Sequence, residues 1–285
     1  MAAEGGAVEL RAGALRLALR PDLGGSIAGL WHGAEPVLRS TEPAALAAAQ
    51  ASACYPLVPY SNRLGYRRFR WKGEDYATAP NFDASPHSLH GVGWRRAWAV
   101  AAAAADAATL RYRHEPDADW PFGFEAEQRF ELTPQGLHAR LGIRNLAPIE
   151  QPVGLGWHPY FPKRARSRLH LETTGRWEAD PTLLPVRRVA CRGIDGDVAP
   201  MAWDTGFDGW RGSARIRDEA FALRLSSSLD RLVVFTPPLQ PYFCIEPVSH
   251  VTNAIHMAEP LQHGLRVLAP GQAFDAWMRL EVARP

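Results

Sequence analysis

Short runs in which apolar and polar residues alternate recur along the whole chain, each closed by Gly, Pro, Asn or Asp. A period of two puts successive side chains on opposite faces of an extended strand, whereas an amphipathic helix repeats its apolar residues every three or four. The segment Leu137-His-Ala-Arg-Leu-Gly-Ile-Arg-Asn145 is the plainest case, with Leu137, Ala139, Leu141 and Ile143 expected to face a core while His138, Arg140 and Arg144 face water. Phe69/Trp71, Phe130/Leu132, Leu169/Leu171 and Leu223/Leu225 read in the same way, and Leu232 to Phe235 reads as a fully buried strand. Helical signals are few. Pro43 to Ala53 is alanine-rich with proline at a first-turn position, and Ala99 to Ala108 has helical propensity but is read as strand because its neighbours are strands. Many strands without intervening helices predict an all-β fold: a large antiparallel β-sandwich or barrel with few short helices, not a parallel α/β sheet.

Of the 285 residues, 46% are hydrophobic and 22% charged, which supplies a sizeable core and lies far from a disordered composition. A chain of this length could hold two domains, but large sandwiches reach it as one unit. No linker or internal repeat divides the sequence, so residues 1–285 are read as a single domain. The formal charge is +2 with basic residues scattered throughout, which gives no footprint for nucleic acid or an anionic membrane. Cys54, Cys191 and Cys244 are odd in number and widely spaced, fitting neither a disulfide framework nor a Cys-x-x-Cys metal site. Met1 to Leu10 carries Glu4 and Glu9 and no basic-then-apolar leader, and no apolar stretch has membrane-spanning length. A cytoplasmic protein is the expectation. Gly24-Gly25 lacks the GxGxxG spacing, so no dinucleotide cofactor is expected.

Four segments set polar groups where strands meet turns, the usual seat of function on a rigid sheet. In Pro59-Tyr-Ser-Asn62-Arg63, the Arg63 guanidinium could span two adjacent hydroxyls or satisfy loop carbonyls. In Ser88-Leu-His90-Gly91-Val-Gly93-Trp94, glycines flank His90 and would let a ligand approach the backbone, unless the histidine is structural. Gly154-Leu-Gly-Trp157-His158-Pro159-Tyr160-Phe161 sets a histidine among aromatic faces that could stack on a sugar; alternatively Trp157, Tyr160 and Phe161 are core aromatics. The fourth segment, Pro241 to Ala254, puts Glu246 directly after Phe243-Cys244-Ile245. A carboxylate ending a buried strand must be paired, hydrogen-bonded or shifted in pKa, and such sites are enriched in catalytic bases.

Gathering His87, His90, His158, Glu246 and His250 around a metal is a competing reading, although no His-x-His or HExxH spacing supports it. Ser/His/Asp nucleophilic chemistry lacks its GxSxG elbow.

Taken in order, Asn62-Arg63, Leu89-His90-Gly91, His158-Pro-Tyr-Phe161, Asp204-Thr-Gly-Phe207 and Ile245-Glu246-Pro247 resemble the signature of the aldose 1-epimerase (galactose mutarotase) family. The likeness runs from about Ala14 to Leu280, and Phe207-Asp-Gly-Trp210 and Phe243 to His250 look like a bacterial branch. The resemblance implies a supersandwich fold with an open carbohydrate groove, no cofactor, and interconversion of the α and β anomers of a free aldose. It implies Glu246 as general base, His158 as general acid, His90 assisting at the ring oxygen, and Arg63 and Asp204 on sugar hydroxyls. Asn62 and Trp157 complete the expected substrate-binding set. The chain departs from the family pattern after Asp204, where Thr205 and Gly206 stand, and this leaves Asp208 as an alternative ligand.

Anomer exchange needs a proton taken from the C1 hydroxyl while another reaches the ring oxygen. With ordinary pKa values of ~4.3 and ~6.5, Glu246 would be ionised at neutral pH and an isolated His158 mostly neutral. A nearby carboxylate is expected to raise the histidine toward its working state. Two alternatives stand beside this one. The substrate could be a hexose 6-phosphate held by Arg67, Arg68, Arg95 or Arg96, or the protein could be a non-catalytic sugar-binding or sensor protein on the same fold.

Overall fold

A computed structural model describes residues 6–284. Part of the stretch read for a leader, residues 1–5, lies outside the described residues. Every strand-to-strand ladder among the described residues is antiparallel.

The larger sheet has nine strands, in spatial order Ala99–Ala103, Ala107–His114, Phe124–Thr133, Gly136–Asn145, Ala273–Ala283, Ala222–Ser227, Ser213–Arg217, Arg168–Glu172 and Gly193–Asp197. The second sheet runs Pro185–Ala190, Gly175–Ala179, Asp204–Asp208, Arg231–Phe235, Tyr242–Val248, Gly156–Trp157 and Pro56–Leu57, with Tyr160–Pro162 also paired to Tyr242–Val248. A four-stranded sheet, Val8–Ala12 to Glu35–Pro36, precedes both in the chain.

One hydrophobic cluster joins the two large sheets, which is what makes them a sandwich. Leu137, Ala139, Leu141 and Ile143 enter it from the first sheet, in the alternation the sequence predicts. Leu232, Val234, Phe243 and Ile245 enter it from the second. Each fully buried side chain of this size stabilises the fold by about 1.5–3 kcal/mol relative to exposure.

Helix is confined to five 3-10 turns of three residues each among the described residues. Pro43 to Ala53 forms only two of them, Pro43–Ala45 and Ala49–Ala51. Tertiary contacts override alanine's helix propensity here: Arg20 takes the carbonyls of Pro43 and Leu46, and Arg39 takes those of Gln50 and Ser52. Ala99 to Ala108 gives one strand and the start of a second, in agreement with the preferred reading.

The second sheet has two working faces. Leu232, Val234, Phe243 and Ile245 point into the sandwich, so their neighbours Val233, Phe235, Tyr242, Cys244 and Glu246 point away from it. Cross-strand pairing aligns Asp204 with Phe235 and Cys244, and Gly206 with Val233 and Glu246. A second set of buried residues covers this outer face, including Tyr55, Leu57, Trp94 and Tyr160.

Candidate active site

A cleft of about 300 Å³ opens on that outer face, at the lower end of the size range of small-molecule sites. Gln50, Asn62, Arg63, His90, His158, Asp204 and Glu246 supply its polar groups. Tyr55, Phe82, Leu89, Tyr160, Val233, Phe235 and Tyr242 supply apolar and aromatic walls. Five of the motifs singled out in the sequence thus meet in one place, although they span residues 62 to 246.

At the floor of the cleft, His158 Nε2 lies 3.3 Å from Glu246 Oε1. Both side chains are almost wholly buried, with relative exposures of 6% and 2%. The imidazole stacks on Tyr160 at 4.5 Å and packs against Tyr55 at 4.7 Å, while its backbone N–H donates to the Tyr55 carbonyl. Burial pushes the Glu246 carboxyl well above the usual carboxylate range; the charge of Asp204 adds to this and Arg63 opposes it. Burial also drives His158 well below the ordinary histidine value, with His90 and Arg39 acting in the same direction. The expectation that a neighbouring carboxylate raises His158 is therefore reversed. Removing two charges from water costs more than one contact returns, so the favoured resting pair is a neutral carboxyl beside a neutral imidazole. That pair still holds one mobile proton.

His90 stands edge-on to His158, with ring centroids 5.2 Å apart. Its Nδ1 accepts the backbone N–H of Asn62 at 3.1 Å, which leaves the ring proton on Nε2. Burial, aided by Arg63, pushes its pKa down to about 3, so His90 is a neutral donor at working pH.

Arg63 reaches Asp204 Oδ2 at 3.1 Å, and Asn62 Oδ1 accepts from both the backbone and the guanidinium of Arg63. Asp204, not Asp208, lines the cleft. Asp208 is held by Arg188 and by the indole N–H of Trp177.

The loop carrying Asn62 and Arg63 is stapled by three histidines. Ser61 N–H donates to His250 Nε2, Asn62 N–H to His90 Nδ1 and Tyr66 N–H to His87 Nδ1. His250 and His87 donate their other ring nitrogens to the carbonyls of Val251 and Thr182. These two rings are fully committed to backbone, so the five-residue metal shell weighed from the sequence does not form.

Two sequence expectations need correction. Trp157 is 1% exposed, belongs to the sandwich core and does not line the cleft. Strand periodicity explains this: Trp157 and Phe161 face the core, whereas His158 and Tyr160 face the cleft. The glycines around His90 serve the protein's own packing instead of a ligand's approach. A Cβ on Gly91 would lie 2.3 Å from the Val58 carbonyl oxygen, and Val58 and Gly91 form a parallel bridge.

Sequence reading missed Tyr55, Phe82, Val233 and Phe235 as cleft residues and did not assign Tyr242 to it. The alternation Tyr242, Cys244, Glu246 was a usable signal for Tyr242. No local signal marks Arg39, which packs on the Tyr160 ring at 3.6 Å.

The sheets and cleft define a galactose mutarotase-like β-sandwich. A profile described as Aldose 1-epimerase matches residues 6–281, and the chain belongs to that family. It is 31% identical over 280 residues to the uncharacterized protein YphB of Escherichia coli (strain K12), covering 92% of this chain and 93% of that one. A crystal structure from E. coli K12, a candidate aldose 1-epimerase, superposes with a TM-score of 0.89 at 30% identity, covering 98% and 99% of the two chains. A galactose mutarotase-like protein from Clostridium acetobutylicum shares the fold at a TM-score of 0.85 and 20% identity, covering 97% and 95%.

Proposed function

We propose that the protein is an aldose mutarotase, an isomerase that interconverts the α and β anomers of a free monosaccharide. The observation that carries this reading is the buried His158–Glu246 contact at the floor of a sugar-sized cleft, with Arg63, Asp204, Asn62 and His90 beside it.

In the working form Glu246 is ionised and His158 protonated. This form is reached by moving the pair's own proton across the 3.3 Å contact, without a proton from solvent. Glu246 then takes the C1 hydroxyl proton while His158 delivers its proton to the ring oxygen, and the C1–O5 bond breaks to give the open-chain aldehyde. The same step returns the pair to a neutral carboxyl and a neutral imidazole. The pair therefore starts and ends ring opening in the neutral form that burial favours, and the charged form is only passed through. Rotation about C1–C2 and reclosure from the other face reverse the proton transfers. The Nε2 proton of His90 is available to the ring oxygen, while Arg63, Asp204 and Asn62 hold hydroxyls.

A neutral substrate is favoured over a phosphorylated one. Arg63 is the cleft's cation and is already paired with Asp204, and none of Arg67, Arg68, Arg95 and Arg96 lines the cleft. Arg95 and Arg96 pair instead with Asp117 and Asp119. The test is NMR anomer exchange on freshly dissolved aldoses and their 6-phosphates. The reading expects acceleration for at least one unphosphorylated sugar and no gain from phosphate. It fails if no aldose equilibrates faster than in buffer.

A further inference from the structure

The strand Tyr242–Val248 turns Tyr242, Cys244 and Glu246 toward the cleft side, and the proposed reaction makes no use of the thiol between the other two. One ligand atom each from His158, Cys244 and Glu246 lie within 4.8 Å of one another. All three side chains are buried, and Glu246 Oε2 and His158 Nδ1 have no hydrogen-bond partner. Leaving such a buried polar atom unpartnered costs about 1–3 kcal/mol. Among the described residues, no arginine or lysine lies within ion-pair distance of Glu246, which faces the imidazole of His158 at 3.3 Å.

Imidazole, thiolate and carboxylate are the side-chain donors that Zn²⁺ takes, in a tetrahedron with bonds of about 2.0–2.3 Å. Three protein ligands would leave the fourth position to water or a sugar hydroxyl from the cleft.

We propose that His158, Cys244 and Glu246 form a binding site for a borderline-soft divalent cation such as Zn²⁺, and that an occupied site blocks anomer exchange. The second half of this rests on the mutarotase reading; the first does not. Binding breaks the S–H bond of Cys244 and displaces the proton shared by His158 and Glu246. Both protons go to the buffer, metal–sulfur, metal–nitrogen and metal–oxygen bonds replace them, and no electron is transferred. The cation occupies the lone pairs that proton exchange requires, so it competes with the proton itself. The buried thiol, which belongs to the same apolar cluster as Tyr55, Trp94 and Tyr160, makes the site selective for thiophilic ions over Mg²⁺ or Ca²⁺.

The test uses Co²⁺ as a spectroscopic stand-in for Zn²⁺, titrated into chelator-treated full-length protein. Saturation at one equivalent is expected, with thiolate-to-metal charge-transfer absorption that Zn²⁺ abolishes by displacement. Cys244→Ser should remove that absorption, and Cys191→Ser should retain it. Cys244→Ala serves as a second variant if a hydroxyl in this apolar wall impairs folding. Inhibition of anomer exchange by Zn²⁺ should weaken at least about tenfold in the Cys244 variant, a loss of the size seen on removing a partner of a metal ligand. Absence of the charge-transfer band, or its survival in both Cys244 variants, overturns the site. A protein that gives the cobalt spectrum but exchanges no aldose keeps the metal site and loses the mutarotase reading.

Discussion

His158 Nε2 and Glu246 Oε1 stand 3.3 Å apart, and burial shifts the two groups in opposite directions, the imidazole down and the carboxyl up. A second proton would charge the imidazole, and loss of the first would leave a charged carboxylate. The single-proton state of the pair therefore spans a wide pH range, and its limits belong to the pair and not to either residue.

Anomer exchange at saturating sugar should accordingly show its acid limb below the ordinary histidine pKa of ~6.5 and its alkaline limb above the ordinary carboxylate value of ~4.3. Polarimetric rates across this range check the point. An acid limb centred near pH 6.5 would mean that His158 titrates as an exposed histidine.

Asp204 and Arg63 push Glu246 in opposite directions. Asp204→Asn removes a negative charge, lowers the carboxyl pKa and should move the alkaline limb to lower pH. Arg63→Ala should move it to higher pH. Each variant also loses a charged group expected to hold sugar hydroxyls, so KM should rise about 10- to 100-fold, as the loss of ~1.5–3 kcal/mol predicts. pH–rate profiles of both variants provide the comparison.

His250→Ala strands the buried Ser61 N–H and should destabilise the fold by about 1–3 kcal/mol. The loop bearing Asn62 and Arg63 loosens, so KM should rise more than kcat falls, and His250→Gln, which retains an acceptor, should recover part of the loss. Burial lowers the His250 pKa to about 4. Its stabilising contribution is complete above the unfolded value of ~6.5 and is lost as pH falls toward about 4, amounting to roughly 3 kcal/mol. Thermal melts across that interval should be less pH-sensitive in the variant.

Trp157→Phe separates packing from sugar contact. The indole is buried in the core and its N–H has no partner, so the substitution should cost about 1–3 kcal/mol of stability and leave KM within about twofold. Melting and sugar titration of the same preparation decide it; a large rise in KM would return Trp157 to the site.

Period-two alternation made the sandwich legible, because a strand's facing follows from its neighbours alone: Leu137 to Ile143 fall where their spacing puts them. The polar members of the site were legible as ordered motifs, and His90, His158, Asp204 and Glu246 do meet. The walls were not. Tyr55, Phe82 and Phe235 reach the cleft through strand register and loop path, which no local pattern encodes. Trp157 falls in the core by the same rule, opposite facing of adjacent residues in extended chain, that places Leu137 to Ile143. The protonation of the pair was out of reach because it depends on burial from several sheet strands at once.

The most direct measurement is the anomer-exchange rate of Glu246→Gln on a sugar that the wild type turns over, paired with calorimetric binding of the same sugar. The amide keeps the shape of the carboxyl and removes its proton chemistry, so exchange should fall by about 10²–10⁴-fold while binding changes little. An exchange rate equal to that of the wild type would contradict the role given to the His158–Glu246 pair.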